Sequence, residues 1–330
     1  MFGTHAYCII GDMSPTTIDP PARTLVPPAD ALPDVLPNER FNARGIAVRP
    51  WRDDLRSIAN VKNAFTVVGC LLQSFGVVVA AAVIDTWWSY LIGFVLMARG
   101  HVCLNILAHE SAHRLLFTKR WLNDHVGRWL LGYPTFQPTL AYRRSHFAHH
   151  RDEMGPEEPD LNLYAGYPIT AASWKRKLRR DISGRTGWKR MKQLAGAVRR
   201  SNTEARQVVA VQAVMLGASI VFMRPLAYVI WIASWMTLWQ FTNRIRAIAE
   251  HGGMVRSRDR RETTHVIGQT RLARYWIVPY NTGWHLAHHV DMGVTWRNLP
   301  RLHDALVEDG WITPDIEYPN YRAFWGSVTR

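Results

Sequence analysis

The chain has 330 residues and a formal net charge of +14, with 48% hydrophobic and 20% charged residues. Its three cysteines, Cys8, Cys70 and Cys103, have no paired spacing, which excludes a disulfide framework and a cysteine metal site. No nucleic-acid motif accompanies the basic charge, so nucleic acid is not an expected partner.

Residues 1–45 are proline-rich without an amphipathic period, and they read as a flexible tail ahead of a domain over 46–330. The tail lacks the basic start and apolar stretch of a secretory signal, and Met13 offers an alternative start. Ala64–Ile84 is then uncharged throughout, and Thr86–Ala108 is apolar apart from Arg99, His101 and Asn105. Gln207–Met223 and Pro225–Asn243 form a second apolar pair. A bilayer core needs ~20 helical residues, so spans are expected at about 64–84, 86–108, 207–223 and 225–243. Asp85 and Arg224-Pro225 leave room only for tight turns, which makes each pair a hairpin. Lys175–Arg206 carries 12 Lys/Arg against Asp181 and Glu204, and basic loops beside spans stay cytoplasmic. Segments 109–206 and 244–330 are therefore expected as one cytoplasmic cap. Trp121–Leu131 and Leu299–Glu308 read as amphipathic helices, the second carrying His303.

Three histidine clusters dominate that polar mass: His109-Glu110-Ser111-Ala112-His113, His146-Phe147-Ala148-His149-His150 and His285-Leu286-Ala287-His288-His289. Residues at i, i+3 and i+4 share a helix face, so each cluster offers two or three imidazoles together. Neutral imidazole binds iron, zinc, copper and nickel alike. Eight imidazoles exceed the needs of one ion, and two ions are the economical reading. His109–His113 also fits H-E-x-x-H, the zinc protease pattern, but such a site needs one further ligand rather than six more histidines. His5, His125 and His265 have no companions and no assigned role.

The order hairpin, H-x-x-x-H, H-x-x-H-H, hairpin, H-x-x-H-H resembles the membrane fatty acid desaturase and hydroxylase superfamily over roughly residues 60–310. Tyr142-Arg143-Arg144-Ser145-His146 through Pro159-Asp160-Leu161 resembles its second histidine box. Asn281 through His289 and then Trp296-Arg297-Asn298-Leu299-Pro300 resembles the third box of bacterial acyl desaturases. The resemblance implies an all-α integral membrane protein with four transmembrane helices in two hairpins and a helical cap holding a dinuclear site. It implies two irons held by nine histidines: His109, His113, His146, His149, His150, His251, His285, His288 and His289. Where relatives place an asparagine one turn before the ninth histidine, this chain has Ala247, leaving Glu250, Asn243 or Asn105 as substitutes. Carboxylates usually orient ligand imidazoles, which makes Asp152, Asp160 and Asp291 candidates for that role, with His101 a further neighbour.

The expected activity is O2-dependent desaturation of a fatty acyl or other lipid chain on the cytoplasmic face of the membrane, the plasma membrane in a bacterium. The chain has no nucleotide-binding, haem or iron–sulfur motif, so an external donor of the ferredoxin, rubredoxin or cytochrome b5 type is implied. A hydroxylase or ketolase of a lipid, alkane, carotenoid or specialised metabolite is the alternative on the same scaffold. An intramembrane zinc protease and a non-enzymatic metal sensor are the other readings.

Overall fold

The computed structural model describes residues 24–329. They form two compact units, a helical one (Ile58–Arg143 and Arg176–Arg244) and one rich in histidine (24–57, Arg144–Lys175 and 245–329). Segment 109–206, expected as part of one cap, is shared between them. The principal helices are α1 (Asn60–Ile84), α2 (Trp87–Ala112), α3 (Thr139–Arg151), α4 (Ala171–Ile182), α5 (Arg185–Arg199), α6 (Thr203–Val221), α7 (Pro225–Ser234), α8 (Gln240–His251), α9 (His285–Val290) and α10 (Leu299–Glu308).

In the helical unit, α1 and α2 form the expected hairpin. Asp85 takes φ 54°, and Thr86 and Ser89 close a reciprocal capping box at the start of α2. Arg224, in the turn after α6, donates through Nε to the Ala82 carbonyl at 2.8 Å and lies 3.5 Å from the Asp85 carboxylate. One guanidinium thus ties the two hairpin tips together. Val61, Phe65, Leu72 and Val83 of α1 are each about 70% exposed, a stripe that suits lipid rather than water.

Three helices among the described residues are long and apolar enough to cross a membrane: those containing α1, α2 and α6. The fourth apolar run stays helical but is divided. α7 has ten residues, a π turn occupies Trp235–Trp239, and α8 follows. Polar groups inside α2 find partners on neighbouring helices. Arg99 donates to Gln73 on α1, and His101 Nε2 lies 3.0 Å from the Trp231 carbonyl on α7. Residues Arg120–His125 and Val126–Gly132 are helical, the second stretch in π form, and Trp121 is exposed.

In the histidine unit, part of the expected tail is packed. Residues 1–23 lie outside the described residues, His5 among them, but Leu25, Leu36 and Phe41 are buried. Burying a phenylalanine this fully contributes about 2–3 kcal/mol. Arg40 clamps the segment to Asp309 at 2.9 Å, and Arg261 donates to the Pro33 carbonyl at 3.0 Å while stacking over Trp311. The all-α expectation needs one correction: Val266–Ile267 pairs in parallel with Glu317–Tyr318. Two residues per strand carry no readable alternation. α10 forms as expected, burying Leu299, Leu302, Ala305 and Leu306, with His303 half-buried beside them.

Candidate metal centre

α8 ends where the site needs it to. Gly253, two residues past His251, adopts φ +74° and donates to the Tyr164 carbonyl at 2.8 Å, the glycine stop that ends many helices. A Cβ at Gly253 would lie 2.8 Å from the Tyr167 carbonyl oxygen. His251 is thereby fixed in the last turn, buried, with its Nδ1 2.8 Å from the Thr263 carbonyl. A carbonyl only accepts, so Nδ1 carries the proton and Nε2 presents a lone pair.

The same arrangement recurs. His149 Nδ1 lies 2.6 Å from Glu158 Oε2, and His289 Nδ1 lies 2.5 Å from Glu153 Oε1. Arg260 at 2.7 Å and the Thr263 hydroxyl also hold Glu153. Each outward Nδ1–H fixes a tautomer whose Nε2 faces inward. The Nε2 atoms of His251 and His289 each lie 3.0 Å from His285 Nε2. His149, His251 and His289 also have ligand atoms within 4.8 Å of one another. His150 Nε2 lies 3.1 Å from both His146 Nε2 and His288 Nε2. Two ligands at right angles about 2.1 Å from an ion are separated by about 3.0 Å, so the donor set fits a metal.

Electrostatics agree. Burial lowers His251, His288 and His289, His288 to about 3, keeping these imidazoles neutral as ligands must be. For His149 burial also acts downward, but the Glu158 hydrogen bond and charge raise it overall. Burial raises the Glu153 carboxyl, with Arg260 acting against it.

Seven of the expected ligands, His146, His149, His150, His251, His285, His288 and His289, thus lie together in one unit. His109 and His113 end α2 in the helical unit, with ring centroids 4.7 Å apart and His109 Nδ1 3.0 Å from Glu110 Oε1. The carboxylates chosen by sequence proximity fare differently. Asp152 binds Arg256 at 2.7 Å, and Asp291 binds Arg52 at 2.7 Å, rather than an imidazole. Asp160 adds negative charge near His149. Glu250 lies 3.8 Å from His285 Nδ1. Asn105 donates to the His101 carbonyl within α2, and His101 stays with Trp231. Asn243 is half-buried, and Ala247 joins the apolar cluster around Ile248 and Phe324. Within this unit the carboxylates hydrogen-bonded to the clustered imidazoles, Glu153 and Glu158, are ones the sequence reading passed over. Their position just after the second cluster was the available signal. His265, given no role, is buried with Nε2 2.8 Å from the Gly252 carbonyl, and His125 bonds within its own helix.

Residues 85–321 match the model of the fatty acid desaturase family. Dihydrorhizobitoxine desaturase of Bradyrhizobium elkanii is 24% identical over 279 residues, covering 76% of each chain. The family match spans well over half of the sequence and takes in all three histidine clusters. The chain belongs to the fatty acid desaturase family and is an oxidoreductase.

Proposed function

We propose that this protein is an O2-dependent desaturase that uses two irons and introduces a double bond into an acyl or other lipid chain. The observation that carries the reading is the convergence of imidazole Nε2 atoms, with the Nδ1 atoms of His149, His251 and His289 held by Glu158, the Thr263 carbonyl and Glu153. His149, His251, His285 and His289 would hold one iron. His146, His150 and His288 would hold the other, and the resemblance noted in the sequence counts His109 and His113 among the metal ligands as well. When bound, such a pair supplies reduction of O2 coupled to removal of two hydrogens from neighbouring carbons. The chain's own residues do the positioning. Glu153, Glu158 and the Thr263 carbonyl hold ring orientation, and burial of the histidines keeps water away. Precise placement matters because small displacements cost rate.

The run Pro225–Asn243 would complete four spans, its π turn notwithstanding. The basic segment Lys175–Arg206 supports a cytoplasmic metal site. Electrons would come from a separate ferredoxin, rubredoxin or cytochrome b5-type donor. The relative's name, a desaturase, favours double-bond formation over hydroxylation. The test is mass spectrometry of lipids and small amphiphiles from a host expressing the chain, beside His289→Ala. Products lighter by two hydrogens and absent in the variant support the reading. Products heavier by one oxygen would replace it with hydroxylation.

A further inference from the structure

α5 packs into the helical unit by one face and leaves the other open. Gly187, Leu194 and Ala197 are buried. A Cβ at Gly187 would lie 2.5 Å from the Met236 carbonyl oxygen, so the helix backbone rests directly on the π turn of the fourth apolar run. At its other end only Arg200, Ser201 and Asn202 separate α5 from α6, one of the three helices long and apolar enough to cross a membrane. Asn202 caps α6, accepting from the Ala205 amide at 2.9 Å. A three-residue link reaches about 10 Å at most, and the head-group layer on each side of a bilayer core is roughly 5–8 Å thick. With α6 in the bilayer, the end of α5 stands at head-group level.

The open face has a single character. Arg185, Trp188, Lys189, Lys192 and Arg199 follow at i, i+3, i+4, i+7 and i+14, which gathers them within about 100° of the helix circumference. All five are exposed, Trp188 by 58%. Residues 176–206 carry eleven Lys/Arg against two acids, and both acids are engaged inward. Asp181 is held by Arg244 and Thr186, and Glu204 accepts from the Leu140 and Ala141 amides at 2.7 and 3.1 Å. Keeping basic residues on one side of a membrane requires no particular arrangement of them. Four cations around a tryptophan on one helix face is the pattern of a helix lying in the interface, with the ring among the head groups and the cations on anionic lipid. An acidic protein would match the charge, but the short link to α6 keeps this face where lipid head groups are the nearest anions.

We propose that the outer face of α5 binds anionic phospholipid head groups, with Arg185, Lys189, Lys192 and Arg199 on the phosphates and Trp188 seated between them. The inference rests on the membrane reading and is independent of the metal and of the reaction.

The test is native mass spectrometry of the full chain, released from detergent that contains equal amounts of phosphatidylglycerol and phosphatidylcholine with the same acyl chains. One basic residue near an anionic surface strengthens attraction about fivefold, so four should retain phosphatidylglycerol over phosphatidylcholine by about tenfold or more. Combining Arg185→Gln, Lys189→Gln, Lys192→Gln and Arg199→Gln should lower that ratio about fivefold or more. A control combining Arg44→Gln, Arg271→Gln and Arg322→Gln, exposed cations of the histidine unit, should leave the ratio unchanged. Melting temperature in detergent shows that each variant is folded. Equal retention of the two lipids by the wild type, an unchanged ratio in the fourfold variant, or an equal fall in the control overturns the proposal. A fourfold variant that keeps its lipid ratio but no longer binds an acidic ferredoxin would overturn it in favour of a protein dock. No turnover is read, so failure of the desaturase reading would leave the lipid result standing.

Discussion

His289 donates through Nδ1 to Glu153 at 2.5 Å, and that same carboxylate is gripped by Arg260 at 2.7 Å. The pair joins the third histidine cluster to the segment following the second, and it aims His289 Nε2 at the proposed metal. Glu153→Gln removes the charge that orients the ring. Loss of such a partner lowers metal affinity about 10- to 100-fold. Iron remaining after timed exposure to a chelator, measured by mass spectrometry of the metal, should fall accordingly, with the melting temperature changing less than in His289→Ala.

His265 makes the histidine unit sensitive to acid. Burial lowers it from 6.5 to about 4 while Nε2 stays near the Gly252 carbonyl. The unfolded chain takes up the proton first, so stability is complete above about pH 6.5 and declines as pH falls towards about 4. The full effect is on the order of 3 kcal/mol. Chemical denaturation of the metal-free protein from pH 7.5 to 4.5 should show this loss. His265→Gln should flatten its slope, and an unchanged slope would remove His265 as the cause.

Asp181 is fully buried and held by Arg244 and Thr186 within the helical unit. Arg244→Met leaves that carboxylate without its nearest cation and should cost about 3–5 kcal/mol. The double variant with Asp181→Asn should recover much of this, because removing both partners of a buried pair is far milder than removing one. Thermal unfolding of the single and double variants checks the difference.

Phe41→Ala tests the packed part of the N-terminal segment. A fully buried phenylalanine truncated to alanine costs about 3–5 kcal/mol, whereas a loose tail would lose nothing. A melting temperature within a degree of the wild type would return residues 24–45 to the reading of a tail.

The histidine clusters were legible because helical spacing forces i, i+3 and i+4 imidazoles onto one face, and seven of them meet in one unit. Their orienting partners were not. Glu153 stands next to Asp152 and Glu158 next to Glu157, and closeness in sequence does not tell which carboxylate faces an imidazole. That is decided by turns such as the one at Met154, whose φ is 59°. Asp152 and Asp291 were taken by Arg256 and Arg52, arginines 104 and 239 residues away in sequence. The apolar run 225–243 reads the same whether its helix is α or π, so the turn at Trp235–Trp239 left no trace in composition. Leu25, Leu36 and Phe41 follow no period, which hid their anchoring role.

The central claim is that this chain holds two irons through nine of its histidines. Metal analysis of the purified full-length protein, beside His289→Ala and His146→Ala, tests it most directly. The account predicts two irons per chain, with iron lost in each variant. One ion per chain, zinc in place of iron, or full iron content in both variants would contradict it.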